Sequence, residues 1–157
     1  MSNLNILYIH GFGSRVNPNA DKQIALRTIA DVEAFAPDYS RAYQDVLADV
    51  EPFLAKADLL VGTSMGGFLV SRLSEQTGKP FVSINPLLQT RRTLTKYLGD
   101  NVDHYGRAYT LSEEVLASYP DFLRSNLRPA TDSVSVDLCC LLTPVSKLAP
   151  SMPEWAG

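Results

Sequence analysis

The chain predicts an α/β fold on a mostly parallel sheet, and three observations carry that expectation. Short strand-like segments alternate with helical periodicity from residue 4 to residue 84. The segment at 59–62 is apolar without alternation, which suits a central strand covered on both faces. Glycine-bearing turns follow the first and third segments, where a parallel sheet sends each strand into a right-handed crossover.

Residues 4–9 (Leu-Asn-Ile-Leu-Tyr-Ile) are rich in strand formers and stop at His10-Gly11-Phe12-Gly13, a strand running into a turn. Asn17-Pro18 reads as an N-cap and a first-turn proline, with Ile24, Thr28, Ile29 and Val32 at helical spacing behind it. Phe35-Ala36-Pro37 predicts a short second strand. Tyr43, Val46, Leu47, Val50 and Leu54 recur at i, i+3, i+4, i+7 and i+11, an amphipathic helix whose last turn Pro52 should bend or break. Leu59 to Gly62 is the third strand, and a helix resumes from Gly66 to about Thr77. Gly78 stands where a left-handed C-cap belongs, with Pro80 beyond it. Phe81 to Ile84 is the fourth strand, stopped by Asn85-Pro86.

Residues 87–128 break the alternation. They are polar, carry Tyr97, Tyr105, Tyr109, Tyr119 and Phe122, and read as a cap-like insertion with short helices. Val134 to Leu142 predicts a fifth strand. Residues 1–142 are thus expected to form one domain. Residues 143–157, with three prolines and little charge, are expected to be an irregular tail.

A chain of 157 residues suits a single domain burying roughly 70% of the surface it exposes unfolded. A net charge of −3 without a basic run argues against a nucleic-acid partner. No window has the length of a membrane span, and the N-terminus lacks the basic region of a signal peptide. The adjacent Cys139 and Cys140 read as small buried hydrophobes in a reducing cytoplasm.

The stretch that carries chemistry is Gly62-Thr63-Ser64-Met65-Gly66. A Gly-x-Ser-x-Gly turn between a buried strand and a helix strains the serine backbone and lifts its hydroxyl above the sheet edge. The helix start aims N–H groups at the same point, so Met65 N–H is a natural oxyanion donor. His10-Gly11-Phe12-Gly13 should open on the same edge, and Gly11 lets that loop pass close enough for Phe12 N–H to be the second donor. A nucleotide-binding reading of Gly11-x-Gly13 is poor, because the third glycine of that fingerprint would fall at Val16.

At these residues the chain resembles a known group. "ILYIHGFGS", "VGTSMGGF", "SINP" and "YLGDN" followed by "YGRAYTL" resemble the YqiA/YcfP family of small bacterial α/β-hydrolases, from about residue 5 to residue 130. The resemblance implies a three-layer α/β-hydrolase-like sheet and a serine esterase of short or activated carboxylic esters, with no metal or organic cofactor. It implies Ser64 as nucleophile, the backbone N–H groups of Phe12 and Met65 as the oxyanion hole, and His10, Gly11 and Asn85 as supporting residues.

The likeness stops before the rest of a catalytic triad. In α/β-hydrolases the order is serine, acid, histidine. Thr143-Pro144-Val145 stands where the acid is expected, and no histidine follows His104. Asp132 precedes the fifth predicted strand, Asp137 lies inside it, and Glu154 falls in the tail. His10 lies within reach of Ser64, with bracing of the oxyanion loop as its plainer role. His104 reads as a solvated loop residue. The expected fold is therefore C-terminally incomplete, through truncation or a frame shift, with a naturally degenerate hydrolase as the alternative. Two functions follow: a serine esterase of weakened activity, or a non-catalytic binding protein on the same fold. An open sheet edge would also favour a homodimer.

Overall fold

The computed structural model describes residues 3–121, and within them the alternation predicted from sequence is a four-stranded parallel sheet. The elements run β1 (Asn5–Ile9), α1 (Asp21–Arg27), β2 (Asp31–Phe35), α2 (Tyr43–Leu54), β3 (Leu59–Thr63), α3 (Met65–Thr77) and β4 (Phe81–Ile84). Then come α4 (Thr90–Leu94), a 3-10 turn (Thr95–Tyr97), β5 (Gly99–Val102), β6 (Ala108–Leu111) and α5 (Glu113–Ser118). The sheet order is β2-β1-β3-β4. Ile6 pairs with Val32 on one side and Leu59 on the other, and Val61 pairs with Val82.

Side-chain alternation divides the core into two layers around the sheet. Leu7, Ile9 and Leu60 face α2 and α3, joining Val46, Val50, Phe68, Leu69 and Leu73. Ile6, Tyr8 and Val61 point to the other face, where Leu26 of α1 packs. Because β1 and β3 lie inside the sheet, Ile6 to Ile9 are all buried. This is why an uninterrupted apolar run, rather than an alternating one, makes a strand here. β2 lies at an edge, and Asp31 and Glu33 are exposed along it.

Several boundaries differ from the sequence reading. The second strand is Asp31–Phe35, not Phe35-Ala36-Pro37. Val32 belongs to that strand, and Ile29 lies past the end of α1 at 70% exposure. The helical spacing of Ile24, Thr28, Ile29 and Val32 thus spanned a helix, a turn and a strand. Asn17 does not cap α1, whose N-cap is Ala20; its side chain accepts from Asn19 N–H in a local turn (3.0 Å). Helix α2 runs through Pro52 to Leu54 without a break. Gly78 does take the left-handed C-cap (φ 71°, ψ 4°) and returns its N–H to Ser74 O.

The segment after β4 holds short helices as expected, plus an antiparallel hairpin, β5–β6, that was not foreseen. The fifth strand expected at 134–142, the tail at 143–157 and the last residues of the insertion lie outside the described residues. No helix among the described residues is long and apolar enough to cross a membrane.

Candidate functional site

Strand order places the site. From β1 the chain crosses outward to β2, whereas from β3 it crosses the other way to β4. The connections leaving β1 and β3 therefore diverge at their C-terminal ends and open a crevice between them. Both glycine turns singled out in the sequence, 10–13 and 62–66, lie at that crevice.

The elbow is tight because two glycines have no room for a side chain and a third has little. A Cβ on Gly62 would collide with the carbonyl of Gly66, and one on Gly66 with the carbonyl of Ile9. One on Gly67 would stand 3.2 Å from both Gly62 O and the Pro86 Cα. Strand and helix cross almost in contact, and the residue between them absorbs the reversal. Ser64 sits at φ 55° and ψ −117°, a region that non-glycine residues rarely occupy and that costs about 1–3 kcal/mol.

Hydrogen bonds hold this strained residue from both sides. Ser64 N–H donates to Ile84 O (2.9 Å), and Ser64 O accepts from Phe68 N–H and Leu87 N–H (both 3.1 Å). A serine before a helix ordinarily caps it with its hydroxyl. Ser64 makes no such capping bond, so its Oγ is left for other partners, and the residue is half-buried. Asn85, the other non-glycine residue with positive φ (47°) among the described residues, turns the chain after β4 so that Leu87 reaches Ser64 O. Asparagine is among the residues that accept this conformation most readily.

The loop after β1 passes directly over the elbow. A Cβ on Gly11 would lie 3.1 Å from Thr63 O, 3.2 Å from Ser64 Cβ and 3.7 Å from Met65 N. The Gly11–Phe12 peptide and the first N–H of α3 are thereby neighbours beside Ser64. Met65 N–H is a first-turn donor without an intrahelical acceptor. Gly11 O accepts from Ser14 N–H (3.2 Å) across a turn whose third residue, Gly13, takes φ 66°. The loop backbone, the first N–H of α3 and a hydroxyl that makes no cap thus share one corner of the crevice.

At His10 it is the main chain that makes the hydrogen bonds and anchors the loop, N–H to Phe35 O (2.9 Å) and C=O from the Tyr39 hydroxyl (2.7 Å). The imidazole packs edge-on against Tyr8 (4.9 Å between ring centroids), and its buried Nε2 has no partner among the described residues. Burial first, and the Lys22 ammonium second, push its pKa below the ordinary value, so the ring is neutral near pH 7. His104 is exposed in the β5–β6 turn.

The hairpin folds over the 10–13 loop. The Phe12 ring stacks on Tyr97 (5.4 Å, 26°) and meets Tyr109 edge-on (5.4 Å, 80°). A Cβ on Gly13 would approach Asp103 Cβ at 3.9 Å, and Arg15 lies over the Tyr105 ring at 3.9 Å. Arg107 spans Asp103 and Asp38 (each 3.4 Å). Burial opposes ionisation of Asp38, but the Ser40 hydroxyl and N–H, with Arg107 and Arg41, outweigh it and lower its pKa. The sequence singled out Tyr97 and Tyr109 but not Tyr39, because nothing local marks a tyrosine that acts across the sheet edge.

Among the described residues no group of three or more His, Cys, Asp or Glu side chains could hold a metal ion. A groove of about 650 Å³ lies at the opposite end of the strands, between the starts of β1 and β2 and the end of α2, where Phe53 and Lys56 line it. It contains none of the residues above. Residues 5–121 match the model of a family described as an uncharacterised protein family (UPF0227).

Proposed function

This chain belongs to the uncharacterised protein family UPF0227, and we propose that it is built as a serine esterase. The observation that carries the reading is the backbone of Ser64, strained at φ 55° while its hydroxyl does no capping work. In this reading Ser64 Oγ bonds to the carbonyl carbon of a small carboxylic ester. The carbonyl oxygen takes the negative charge between Phe12 N–H and Met65 N–H, and collapse expels the alcohol to leave an acyl-serine, which water hydrolyses. Neither histidine hydrogen-bonds Ser64 among the described residues, so in this reading solvent water takes the hydroxyl proton and returns one to the departing alkoxide oxygen. Positioning and an oxyanion hole without a full triad support roughly 10³–10⁴-fold acceleration over water.

A second reading, a non-catalytic binding protein on this fold, is favoured by one observation. The only histidines are His10, with its Nε2 buried, and His104, exposed on a hairpin. Hydrolysis of p-nitrophenyl butyrate separates the two. The esterase reading expects slow turnover that Ser64→Ala abolishes, whereas equal rates in both proteins favour the binding reading.

A further inference from the structure

We infer that Tyr39 is a positioning residue for the oxyanion loop, an inference that rests on the esterase reading and extends it to a residue outside the elbow. Two successive peptides set where Phe12 N–H points. In the second, Gly11 O is turned toward Ser14 N–H; because a trans peptide sets C=O and N–H in opposite directions, Phe12 N–H faces out of the turn. That bond is internal to the loop and fixes its shape, not its placement on the body of the protein. Placement comes from the peptide before it. His10 O accepts the Tyr39 hydroxyl at 2.7 Å, and His10 N–H donates to Phe35 O, so β2 and the turn after it hold the loop's root from both sides.

Tyr39 suits this task because it cannot easily move. It is 2% exposed, and its own carbonyl and that of Arg41 face the Tyr119 hydroxyl at 3.3 and 2.9 Å. Its ring lies near-parallel to Phe12, with centroids 6.4 Å apart. One rigid side chain therefore fixes the carbonyl before Gly11 and lies against the side chain after it. A shift at His10 O would carry Gly11 with it, and Gly11 has little slack above Ser64 and Met65 N.

Tyr39→Phe removes only the hydroxyl and keeps the ring. The probe is an alkyl fluorophosphonate: Ser64 Oγ bonds to phosphorus, fluoride leaves, the proton passes to water, and the phosphoryl oxygen occupies the oxyanion site. Rates are measured over a range of probe concentrations for wild type, Tyr39→Phe, Ser74→Ala and Ser64→Ala. The maximal labelling rate of Tyr39→Phe is expected to fall about tenfold with the half-saturating concentration unchanged, an indirect loss smaller than that of deleting an oxyanion donor. Ser74→Ala, which loses a hydroxyl bond to Lys79 O (2.6 Å) at the far end of α3 and touches no residue of the 10–13 loop, is expected to label at the wild-type rate. Equal rates for Tyr39→Phe and wild type overturn the inference and leave the esterase reading standing. Equal slowing in Tyr39→Phe and Ser74→Ala also overturns it, since general loosening then explains the effect. Wild type labelling no faster than Ser64→Ala overturns both.

Discussion

The two ends of the parallel sheet are built from the same strands, yet they differ in what their backbones tolerate. At the N-terminal end, Asn5 pairs with Asp58 through N–H and amide contacts of 2.9 and 3.0 Å, and Lys79 Nζ reaches Ala57 O at 2.7 Å. A groove of about 650 Å³ lies there, and no residue lining it has a positive φ. At the C-terminal end, strand, helix and loop are pressed together through Gly11, Gly62, Gly66 and Gly67, and Ser64 and Asn85 take left-handed φ. The groove therefore marks one end and backbone strain the other. Strain persists only where the surroundings over-determine it, which makes the C-terminal edge the better candidate for chemistry.

Substitutions can break or sharpen this contrast. The largest effect is expected at Gly66→Ala, whose methyl group meets the backbone carbonyl of Ile9 and has nowhere to go. A loss of about 3 kcal/mol or more is expected from urea unfolding; a loss below about 1 kcal/mol would mean that the elbow is not tightly packed. Next is Ser64→Gly, which accepts the observed φ without strain. The released strain, less the added flexibility of the unfolded chain, is expected to stabilise the protein by about 1 kcal/mol. Destabilisation would show that Ser64 is not strained.

A weaker, pH-dependent effect belongs to His10, whose folded pKa lies below its ordinary value. As pH falls below about 6.5, the unfolded chain takes up a proton that the folded ring resists, so stability drops toward acid. Melting temperatures between pH 7.5 and 5 are expected to fall more steeply for wild type than for His10→Gln, and parallel slopes would contradict this. At the other end, Lys56→Ala is expected to change stability by less than about 0.5 kcal/mol and to leave ester hydrolysis untouched. A marked loss of activity there would move the functional site to the groove.

Much of this contrast was legible in the sequence, for a physical reason. Glycine spacing reports sterics directly: Gly62 and Gly66 are required by backbone contact, so the motif and the elbow coincide. The amphipathic helix 43–54 and the glycine cap at 78 were equally plain, because local periodicity and a positive φ leave local marks. The first crossover was misread because Ile24 and Ile29, which suggested a buried helical face, are 53% and 70% exposed. The inward position of α1 is taken by Gln23 instead, a fully buried polar residue. Tyr39 and the β5–β6 hairpin were missed for a different reason. Neither leaves a local apolar pattern: Tyr39 meets His10 and Tyr119 across tens of residues, and the hairpin pairs residues 6 to 12 apart on a first strand, Gly99–Val102, that is polar and mostly exposed.

The central claim, that the elbow presents Ser64 as a nucleophile, is tested most directly by site mapping. The folded protein is treated with an alkyl fluorophosphonate, digested, and the modified peptide sequenced by mass spectrometry. Modification confined to Ser64, and lost when the protein is unfolded in urea before treatment, is the expected result. Absence of an adduct at Ser64, or equal modification of exposed serines such as Ser14, would contradict it.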